Sequence, residues 1–427
     1  MRPGGCIVAL VLLAQACNAV SESDGIPAIE PDYVGVTVPE GLAPLHFALE
    51  DGTPCKYEVS RDADTLWYTV TAAGVRYKPF PVYVSHDEID RYLVYRLIEP
   101  GYESWNGIGI CSRDLSSYDE QLLVGSDELG GGCVNCHSFP GGDGSTMLLH
   151  VRREGGGTLV SGPSGLRLLP IKATYPACHP AGRYVAFSVN TTNQKFTTGG
   201  PQPIEVYDTA SDLSLLDLQT DSLISIPAAT GPDALETFPC WSDDGTKLYY
   251  CSAPAVEDPA RQTADLHYKI MSLTFKDGVF ADVPEVVWEN PLASASFPRV
   301  RGNFLMFTRS DCGTFPIWHH EADLWMLDLD AGTVREVSEL NSSDTESYHS
   351  WSSNGSWVVL STRRADGRYT RLMIAHHRGD GTFDKPFALP WKSADFDQLR
   401  MKSYNVPEFV KGEPRACGDA AAKIFGL

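Results

Sequence analysis

A short pattern recurs along the chain and restricts the folds that the chain can adopt. It consists of an aromatic residue, a glycine seven residues later, and then a strand of alternating apolar residues. Clear copies lie at 175–190 (YPACHPAGRYVAFSVN), 238–253 (FPCWSDDGTKLYYCSA) and 348–363 (YHSWSSNGSWVVLSTR), and a copy with a shorter turn lies at 297–310. Glycine accepts the positive φ that a tight turn between antiparallel strands requires. The repeat therefore predicts a series of similar antiparallel sheets.

The segments between these copies also favour β-structure. From Tyr33 onward almost no helical periodicity is present, and short runs such as RYLVYRLI, DLWMLDL and WVVLSTRR are rich in β-branched and aromatic residues. Gly, Pro, Asp and Asn bound these runs, and the 427 residues include 38 Gly and 29 Pro. We therefore predict an all-β protein rich in turns.

The repeat resembles the PD40 repeat of TolB-like β-propellers, which has the form aromatic-Pro-x-Trp-Ser-x-Asp/Asn-Gly. Residues 241–245 (WSDDG) fit that form best and 351–355 (WSSNG) nearly as well, whereas Cys178 stands at the Trp position of the copy at 175. The resemblance implies a six-bladed TolB-like β-propeller over roughly residues 90–395. The alternative is a large β-sandwich with a chance similarity to the repeat.

Four further regions are expected around the propeller. We predict a signal peptide at 1–16, a small, acidic, Pro-containing tether at 17–31, and a small β-rich N-terminal domain or partial blade at 32–89. The C-terminal tail, 396–427, is mixed in character, and its structure is not predicted.

The first residues indicate export from the cytoplasm. An apolar segment at 6–14, too short to span a bilayer, is followed by an A-x-A pattern that ends at Ala16 and then by Cys17. This arrangement resembles a bacterial lipoprotein signal, in which Cys17 would be lipidated, although a leucine usually stands where this chain has Ala14. Plain secretory cleavage near Ala16 or Ala19 is the alternative. Both interpretations predict a periplasmic or outer-membrane location, with the membrane contacted only through an N-terminal anchor.

The charge of the chain excludes two classes of partner. The chain has 34 Lys plus Arg against 55 Asp plus Glu, so its formal net charge is −21. Nucleic acids and anionic lipid surfaces are bound through clustered basic residues. The composition therefore argues against both and favours a soluble exported protein or one that meets a basic partner.

The segment 129–144 (LGGGCVNCHSFPGGDG) contains the chemically most specific pattern. Cys133, Cys136 and His137 form C-x-x-C-H, the attachment signature of c-type haem. Each thiol would add to a haem vinyl group, and His137 would be the proximal iron ligand. In the repeat, Cys136 is expected near the Trp position, with Gly144 before the next strand. We therefore predict one covalent haem c, attached outside the cytoplasm.

Three other interpretations of the cysteine pair stay open. A thioredoxin-like pair would begin a helix near a βαβ pattern, and none is visible. A structural zinc site would need two more ligands nearby, but Cys178 and His179 are more than forty residues away. A simple disulfide with an incidental His137 is the third. The mature chain has nine cysteines after removal of Cys6 and Cys17, and the sequence assigns no pairing among them.

The sixth iron ligand is not determined by the sequence. His150 and Met147 lie on the strand that leaves the motif, and His179 occupies the equivalent turn of the next blade. An open or water-filled position is a further alternative. Other side chains that could bind iron are His319, His320, His349 and Met401.

The remaining polar clusters are interpreted as structural. The segments 85–90 (SHDEID) and 258–265 look like solvated loop charges, and the pairs in WHHE (318–321) and AHHR (375–378) point to opposite faces of a strand. No nucleophile elbow, phosphate-binding loop or dinucleotide fingerprint is present in the sequence.

These observations predict an electron-transfer protein in which a redox or scaffold partner docks on the propeller face. The first rival is a TolB-like binding or scaffold protein whose haem is structural or absent. The second is a haem enzyme, which would need an open distal site and a nearby acid or base. No catalytic residue is assigned, and a carrier or binding protein is favoured over a catalyst.

Overall fold

The protein consists of a ring of antiparallel sheets with an additional β-layer packed against one part of it. The computed structural model describes residues 20–99, 107–197 and 204–427. The predicted signal peptide and Cys17 lie outside these residues. Within them, no helix is long and apolar enough to cross a membrane.

The N-terminal layer consists of short β-strands. Its strands are β1 (Ser21–Glu22), β2 (Ile29–Glu30), β3 (Thr37–Pro39), β4 (Ala48–Leu49), β5 (Cys55–Asp62), β6 (Thr65–Ala72), β7 (Val75–Arg76) and β8 (Phe80–Ser85). Six of them form one sheet in the order β1-β7-β6-β8-β3, with β5 paired to β6, and β2 pairs with β4. The described part of the predicted tether is therefore not a tether, because β1 and β2 are hydrogen-bonded into this layer and Ile29 is buried.

Six sheets form the ring, and each is an antiparallel blade. Blade 1 contains β9 (Tyr92–Ile98), β10 (Gly109–Asp114) and β11 (Glu120–Gly125). Blade 2 contains β12 (Cys133–Ser138), β13 (Met147–Arg152), β14 (Gly157–Gly162) and β15 (Gly165–Leu169). Blade 3 contains β16 (Thr174–Cys178), β17 (Tyr184–Phe196), β18 (Ile204–Asp217) and β19 (Ser222–Ser225).

The second half of the ring repeats this plan. Blade 4 contains β20 (Ala234–Trp241), β21 (Lys247–Pro254), β22 (Lys269–Lys276), β23 (Val279–Phe280) and β24 (Glu285–Trp288). Blade 5 contains β25 (Ser294–Arg301), β26 (Phe304–Ser310), β27 (Asp323–Asp328) and β28 (Thr333–Glu336). Blade 6 contains β29 (Glu346–Trp351), β30 (Trp357–Thr362), β31 (Arg371–His376) and β32 (Phe387–Ala388).

The C-terminal region closes the ring. It forms α1 (Phe396–Arg400), β33 (Ser403–Val410) and α2 (Gly418–Ile424), and β33 pairs with β9 as the innermost strand of blade 1. The predicted end of the propeller near residue 395 is therefore wrong, because the tail supplies a strand that the first blade lacks. Such a strand from the far end of the chain removes the open edge of the ring.

The innermost strand of every blade contains the same backbone irregularity. One residue in each strand has a positive φ between 46° and 53°, and the pairing register shifts at that residue. Two residues then oppose one on the neighbouring strand, which is a β-bulge. The six positions, from blade 1 to blade 6, are Val406, Cys136, Tyr175, Phe238, Phe297 and Tyr348.

These bulges correct the register that the sequence suggested for the Cys-x-x-Cys-His motif. Cys136 occupies the position of the repeat's aromatic residue, three residues before the Trp position, where blade 2 has Phe139. The turn of blade 2 is also one residue longer than that of blade 4, because Gly144 follows Cys136 by eight residues whereas Gly245 follows Phe238 by seven. His137 consequently stands where Pro176, Pro239, Pro298 and Pro407 stand in other blades.

The Trp of the repeat joins neighbouring blades. The indole Nε1 of Trp241 donates to the carbonyl of Ala177 at 3.0 Å, and that of Trp351 to the carbonyl of Arg299 at 3.3 Å. Both carbonyls lie on the innermost strand of the preceding blade. A buried indole needs such an acceptor, so Trp241 connects blade 4 to blade 3 and Trp351 connects blade 6 to blade 5.

The N-terminal layer shares its core with blades 6 and 1. Trp357 has no exposed surface, packs in one apolar cluster with Tyr33, Tyr68 and Phe80, and donates its Nε1 hydrogen to the carbonyl of Asp87 at 3.1 Å. The hydroxyl of Tyr33 donates to the carbonyl of Ala388 at 3.3 Å. The layer is thus part of the folded unit and not an appendage.

Truncation of this shared core should destabilise the whole protein. We expect Trp357→Ala to lower the free energy of unfolding by about 3–5 kcal/mol, because it leaves a large cavity and an unpaired carbonyl. Urea unfolding followed by far-UV circular dichroism measures the change. Trp67→Ala, at a residue 37% exposed on the same layer, should cost less than about 0.5 kcal/mol. A separate, early transition for the N-terminal layer in the unmutated protein would contradict the shared core.

Candidate ligand-binding cavity and haem motif

Aromatic side chains fill the channel along most of the ring. The bulge residues of blades 3 to 6 contact one another in sequence, with ring centroids 4.4 Å apart for Tyr175 and Phe238, 4.0 Å for Phe238 and Phe297, and 4.7 Å for Phe297 and Tyr348. In blades 1 and 2 the same position holds Val406 and Cys136. Because these two side chains are smaller, the aromatic packing is interrupted on that side of the channel.

A large cavity lies beside this interruption. It contains about 1530 Å³ of space between atoms, part of it open to solvent, and Cys136, Val406, Tyr175 and Tyr348 lie on its wall. A loop of blade 5, residues 311–322, adds apolar wall through Phe315, Ile317 and Trp318. Ligand pockets in proteins combine apolar and aromatic walls with a few polar groups that orient the ligand, and the wall of this cavity has both kinds of side chain, so it is a candidate binding site.

The polar part of the wall is basic. Arg96 of blade 1, Arg152 of blade 2, Arg299 of blade 5 and Arg363 after β30 all line the cavity. Glu99 is the acidic residue on the same wall, and Lys402 pairs with it at 2.6 Å. In a chain with a net charge of −21, the cavity is a basic region within an acidic protein.

Two residues of the Cys-x-x-Cys-His motif reach this cavity. Cys136 and His137 both line it, and His137 is only 4% exposed. Neither ring nitrogen of His137 has a hydrogen-bond partner, although both are buried. Burial, with a contribution from the charge of Arg96, lowers the pKa of His137 to about 3, so its imidazole is neutral. A neutral imidazole with an unused nitrogen lone pair is the form that binds a metal.

Cys133 is placed differently. It is 5% exposed and packs in the apolar core between blades 1 and 2, while its Sγ accepts a hydrogen bond from Nδ2 of Asn135 at 2.7 Å. Burial raises the pKa of this thiol. All nine cysteines in the described part of the chain are free thiols, so Cys133 and Cys136 form no disulfide here.

The structure disfavours the two other interpretations of the motif. The motif lies on the strand β12 and not at the start of a helix, which is where a thioredoxin-like pair would lie. In residues 20–99, 107–197 and 204–427, no three His, Cys, Asp or Glu side chains are grouped to hold a metal ion. A zinc site formed by side chains alone is therefore not supported.

The three leading candidates for a sixth iron ligand differ in their surroundings. Both ring nitrogens of His179 are engaged, with Nε2 3.1 Å from the carbonyl of Gly245 and Nδ1 accepting from the amide of Ala181 at 3.1 Å, which disfavours His179. Met147 is buried in the core between blades 1 and 2. His150, opposite Asn135 on the neighbouring strand, is 5% exposed with an unpartnered Nδ1, and burial lowers its pKa to about 4.

The other four candidates are less suited. His349 Nε2 is 3.0 Å from the carbonyl of Met306, His320 pairs with Asp344, and Met401 is 56% exposed. His319 is held between two carboxylates. Of the seven side chains, His150 retains the strongest support, and its role stays a prediction.

The buried residue His319 holds the loop that carries Trp318 in place. His319 is 1% exposed, with Nε2 3.2 Å from Oε2 of Glu205 on β18 and Nδ1 2.9 Å from Oε1 of Glu321. Burial opposes the charged imidazolium, but the hydrogen bonds to both carboxylates outweigh it and raise the pKa of His319 to about 9. The ion pair therefore connects blade 3 to the cavity wall from blade 5.

A second histidine cluster was not indicated by the sequence. His376 lies 3.2 Å from Oγ of Ser85 and 2.9 Å from Oδ2 of Asp384, an arrangement similar to a serine hydrolase triad. Oδ2 of Asp87, however, lies 2.7 Å from the same Nε2 that would activate the serine. The cluster therefore fastens β8 to blade 6 and is not an active site.

The acidic segment 85–90 is solvated in part, as predicted, because Asp87 and Glu88 are exposed, but it also makes contacts within the fold. Besides the contact of Asp87 with His376, Asp90 is 7% exposed and accepts hydrogen bonds from the amide and hydroxyl of Ser353 at 2.7 and 2.6 Å. The partners lie more than 260 residues away in the chain, so no local pattern could have shown them.

The architecture and its closed ring define the protein as a six-bladed β-propeller. Among solved structures, TolB from Acinetobacter baumannii is similar, with a TM-score of 0.50 and 13% sequence identity over 84% of this chain and 83% of that one. A putative TolB from Agrobacterium tumefaciens gives a TM-score of 0.43 and 15% identity over 76% of this chain and 99% of that one. The six-bladed ring and the likeness to the first of these structures show the fold of a TolB-like propeller, as the repeat predicted. No protein-family model matches the chain, and no curated protein does either.

The His319 ion pair should make stability depend on alkaline pH. Because the folded pKa of about 9 lies above the ordinary value near 6.5, the pair contributes fully below about pH 6.5 and is lost as the pH rises through 9. We expect His319→Gln to cost about 3 kcal/mol at pH 6 and little at pH 10. Urea unfolding at both pH values measures this, with His320→Gln, a surface pair worth at most about 1 kcal/mol, as the control. Equal losses at the two pH values would contradict the shifted pKa.

Proposed function

We propose that this is an exported propeller that carries one covalent haem c on Cys133 and Cys136, with His137 as the proximal iron ligand, and that it transfers electrons. The observation that carries the proposal is a local exception to the repeat. Four other blades place a bulge residue and a proline on the channel, and blade 6 places Tyr348 and His349 there, whereas blade 2 combines a histidine, His137, with the cysteine Cys136. Departures from a structural rule of this kind are typical of functional positions.

The surroundings fit a haem in three respects and require an adjustment in a fourth. Cys136 and His137 line the cavity, both nitrogens of His137 are unpartnered, and the wall offers flat aromatic surface. Cys133 lies behind this wall, with its thiol hydrogen-bonded to Asn135. Attachment at Cys133 therefore requires its thiol to leave Asn135 and turn into the cavity.

The chain itself would perform three tasks in electron transfer. The thiols of Cys133 and Cys136 would fix the group in one position, and the neutral imidazole of His137 would donate its lone pair. The aromatic wall would limit the access of water, which is one of the factors that sets a reduction potential. A bound haem c would supply an iron that cycles between the ferric and ferrous states.

The partner and the location belong to the same proposal. A propeller presents ligands at the mouth of its channel, so a redox or scaffold protein would dock on that face. The apolar segment at 6–14 and the A-x-A pattern before Cys17 support export to the periplasm or outer membrane, with lipidation of Cys17 as the anchor.

A second candidate is a TolB-like propeller that acts as a binding or scaffold protein without a functional haem. The fold and the cavity favour it, because it requires only a propeller with an open ligand site. It differs from the first candidate in one respect, since it assigns no covalent chemistry to Cys133 and Cys136.

Spectra of protein matured for haem c distinguish the two candidates. We expect the full chain, produced with haem c maturation factors, to show a reduced α-band and a mass increased by one haem. The double variant Cys133→Ser/Cys136→Ser should lose both, while Cys55→Ser, at a thiol of the N-terminal layer, should retain them. Absence of the band and of the added mass in the matured chain would leave the binding protein as the function.

The proximal role of His137 has its own test. His137→Gly should retain the covalent mass, because both cysteines remain, but its Soret band should shift, and added imidazole should restore the original spectrum. Binding of carbon monoxide to the reduced, unmutated protein then separates an open iron from a six-coordinate carrier. A His137→Gly spectrum identical to that of the unmutated protein would exclude this histidine as the ligand.

A further inference from the structure

Within residues 20–99, 107–197 and 204–427, three of the cavity arginines have no acidic partner. Arg96 donates to Oδ1 of Asn135, and Nη1 of Arg299 donates to the carbonyl of its neighbour Pro298 at 2.9 Å. Nε of Arg96 and Nε of Arg152 are buried without a hydrogen-bond partner. Among the described residues, no carboxylate lies within 4 Å of a guanidinium nitrogen of Arg96, Arg152 or Arg299.

This pattern differs from that of arginines elsewhere in the ring. Nη2 of Arg183 pairs with Asp217 at 2.6 Å, that of Arg364 with Glu346 at 3.0 Å and that of Arg400 with Glu120 at 2.5 Å. With 55 acidic side chains available in the sequence, a shortage of carboxylates does not explain the difference. Partly buried cations without counter-charges cost free energy, so the cavity favours an anionic occupant.

Arg299 has a distinctive place in the ring. It lies two residues after the bulge residue of blade 5, where the other blades carry Glu408, Ser138, Ala177, Cys240 and Ser350. In a ring of six blades, blade 5 is opposite blade 2, so Arg299 and the Cys-x-x-Cys-His motif are on facing walls of the cavity. Glu408 occupies the equivalent position of blade 1, and burial raises its pKa to about 7. This pKa weakens Glu408 as a counter-ion for Arg299.

The aromatic part of the cavity wall indicates the shape of the apolar part of a ligand. Phe297, Phe315 and Trp318 present aromatic side chains to the cavity, and these surfaces suit a flat apolar group. Guanidinium groups bind carboxylates with two parallel hydrogen bonds. The wall is thus complementary to a planar molecule with carboxylates at its edge.

We propose that the cavity recognises the carboxylates of a planar, largely apolar dicarboxylic acid, with Arg299 binding on the wall opposite the motif and Arg152 beside the motif. The inference rests on the proposed function in one respect, because haem is a dicarboxylic acid of this kind. A free dicarboxylate without a porphyrin ring has the same chemistry and is the other source of the ligand.

Binding of a porphyrin without covalent attachment tests the inference. Cys133→Ser/Cys136→Ser protein, made without haem, is titrated with protoporphyrin IX and with its dimethyl ester, and quenching of tryptophan fluorescence gives each Kd. We expect the diacid to bind at least about tenfold more tightly than the diester, since each charge-assisted hydrogen bond is worth about tenfold or more in affinity.

Arginine variants in the same background identify the residues. Arg299→Gln and Arg152→Gln should each weaken the diacid about tenfold and leave the diester unchanged, whereas Arg299→Lys should retain part of the affinity. Arg309→Gln is the matched control, because Arg309 is a partly buried arginine of blade 5 that stacks on Trp325 and does not line the cavity. Equal binding of diacid and diester, no binding of either, or no effect of the two cavity variants would overturn the inference.

A third probe separates the two sources. If biphenyl-4,4′-dicarboxylate binds with the same dependence on Arg299 and Arg152, the cavity recognises planar dicarboxylates in general; if only the porphyrin diacid does, haem is the source. Both results support the carboxylate site. If the matured chain carries no haem, but the Cys133→Ser/Cys136→Ser protein still binds the diacid more tightly than the diester, the proposed function is refuted and this inference is supported. If the matured chain acquires haem c but Arg299→Gln and Arg152→Gln leave the binding of the diacid unchanged, the proposed function is supported and this inference is refuted.

Discussion

The left-handed residue on each innermost strand is the constraint on which the rest of the molecule depends. A non-glycine residue in this conformation costs roughly 1–2 kcal/mol, and the six innermost strands contain one each. Each bulge turns its residue toward the channel and brings the following residues into register with the next blade. The contacts of Tyr175, Phe238, Phe297 and Tyr348, and the indole hydrogen bonds between blades, follow from that turn and offset its cost.

The cavity results from two exceptions to this rule. At Val406 and Cys136 the backbone keeps the bulge, but the side chains are too small to extend the aromatic packing. The scaffold thus stays intact while the channel gains space, and the chemistry of the Cys-x-x-Cys-His motif is brought to that space. A position that is fixed in backbone but variable in side chain is well suited to acquire a new function, because a change there does not disturb the ring.

The sequence was sufficient for those features that repeat. Trp241, Trp351 and the turns at Asp244-Gly245 and Asn354-Gly355 predicted the blades, because these two copies form the same hydrogen bonds. The sequence was not sufficient for features that occur in only one blade or that join residues far apart in the chain. The register of Cys136 was predicted three residues off because blade 2 has neither the aromatic residue nor the Trp by which the other copies are aligned. The ion pair of His319 with Glu205 and the contacts of Asp87 and Asp90 join residues that only the closed ring brings together.

The closing strand also sets an order of events. Ser403, Asn405 and Val406 of β33 complete the wall of the cavity, and they follow His137 by 266 or more residues in the chain. At a synthesis rate of about 5–20 residues per second, these residues become available roughly 13–53 s after His137, and the thiols of Cys133 and Cys136 stay accessible for that time before the ring can close. Under the proposed function, an enzyme that attaches haem would act within this interval, and the rate at which the chain is delivered would influence how completely the site is filled.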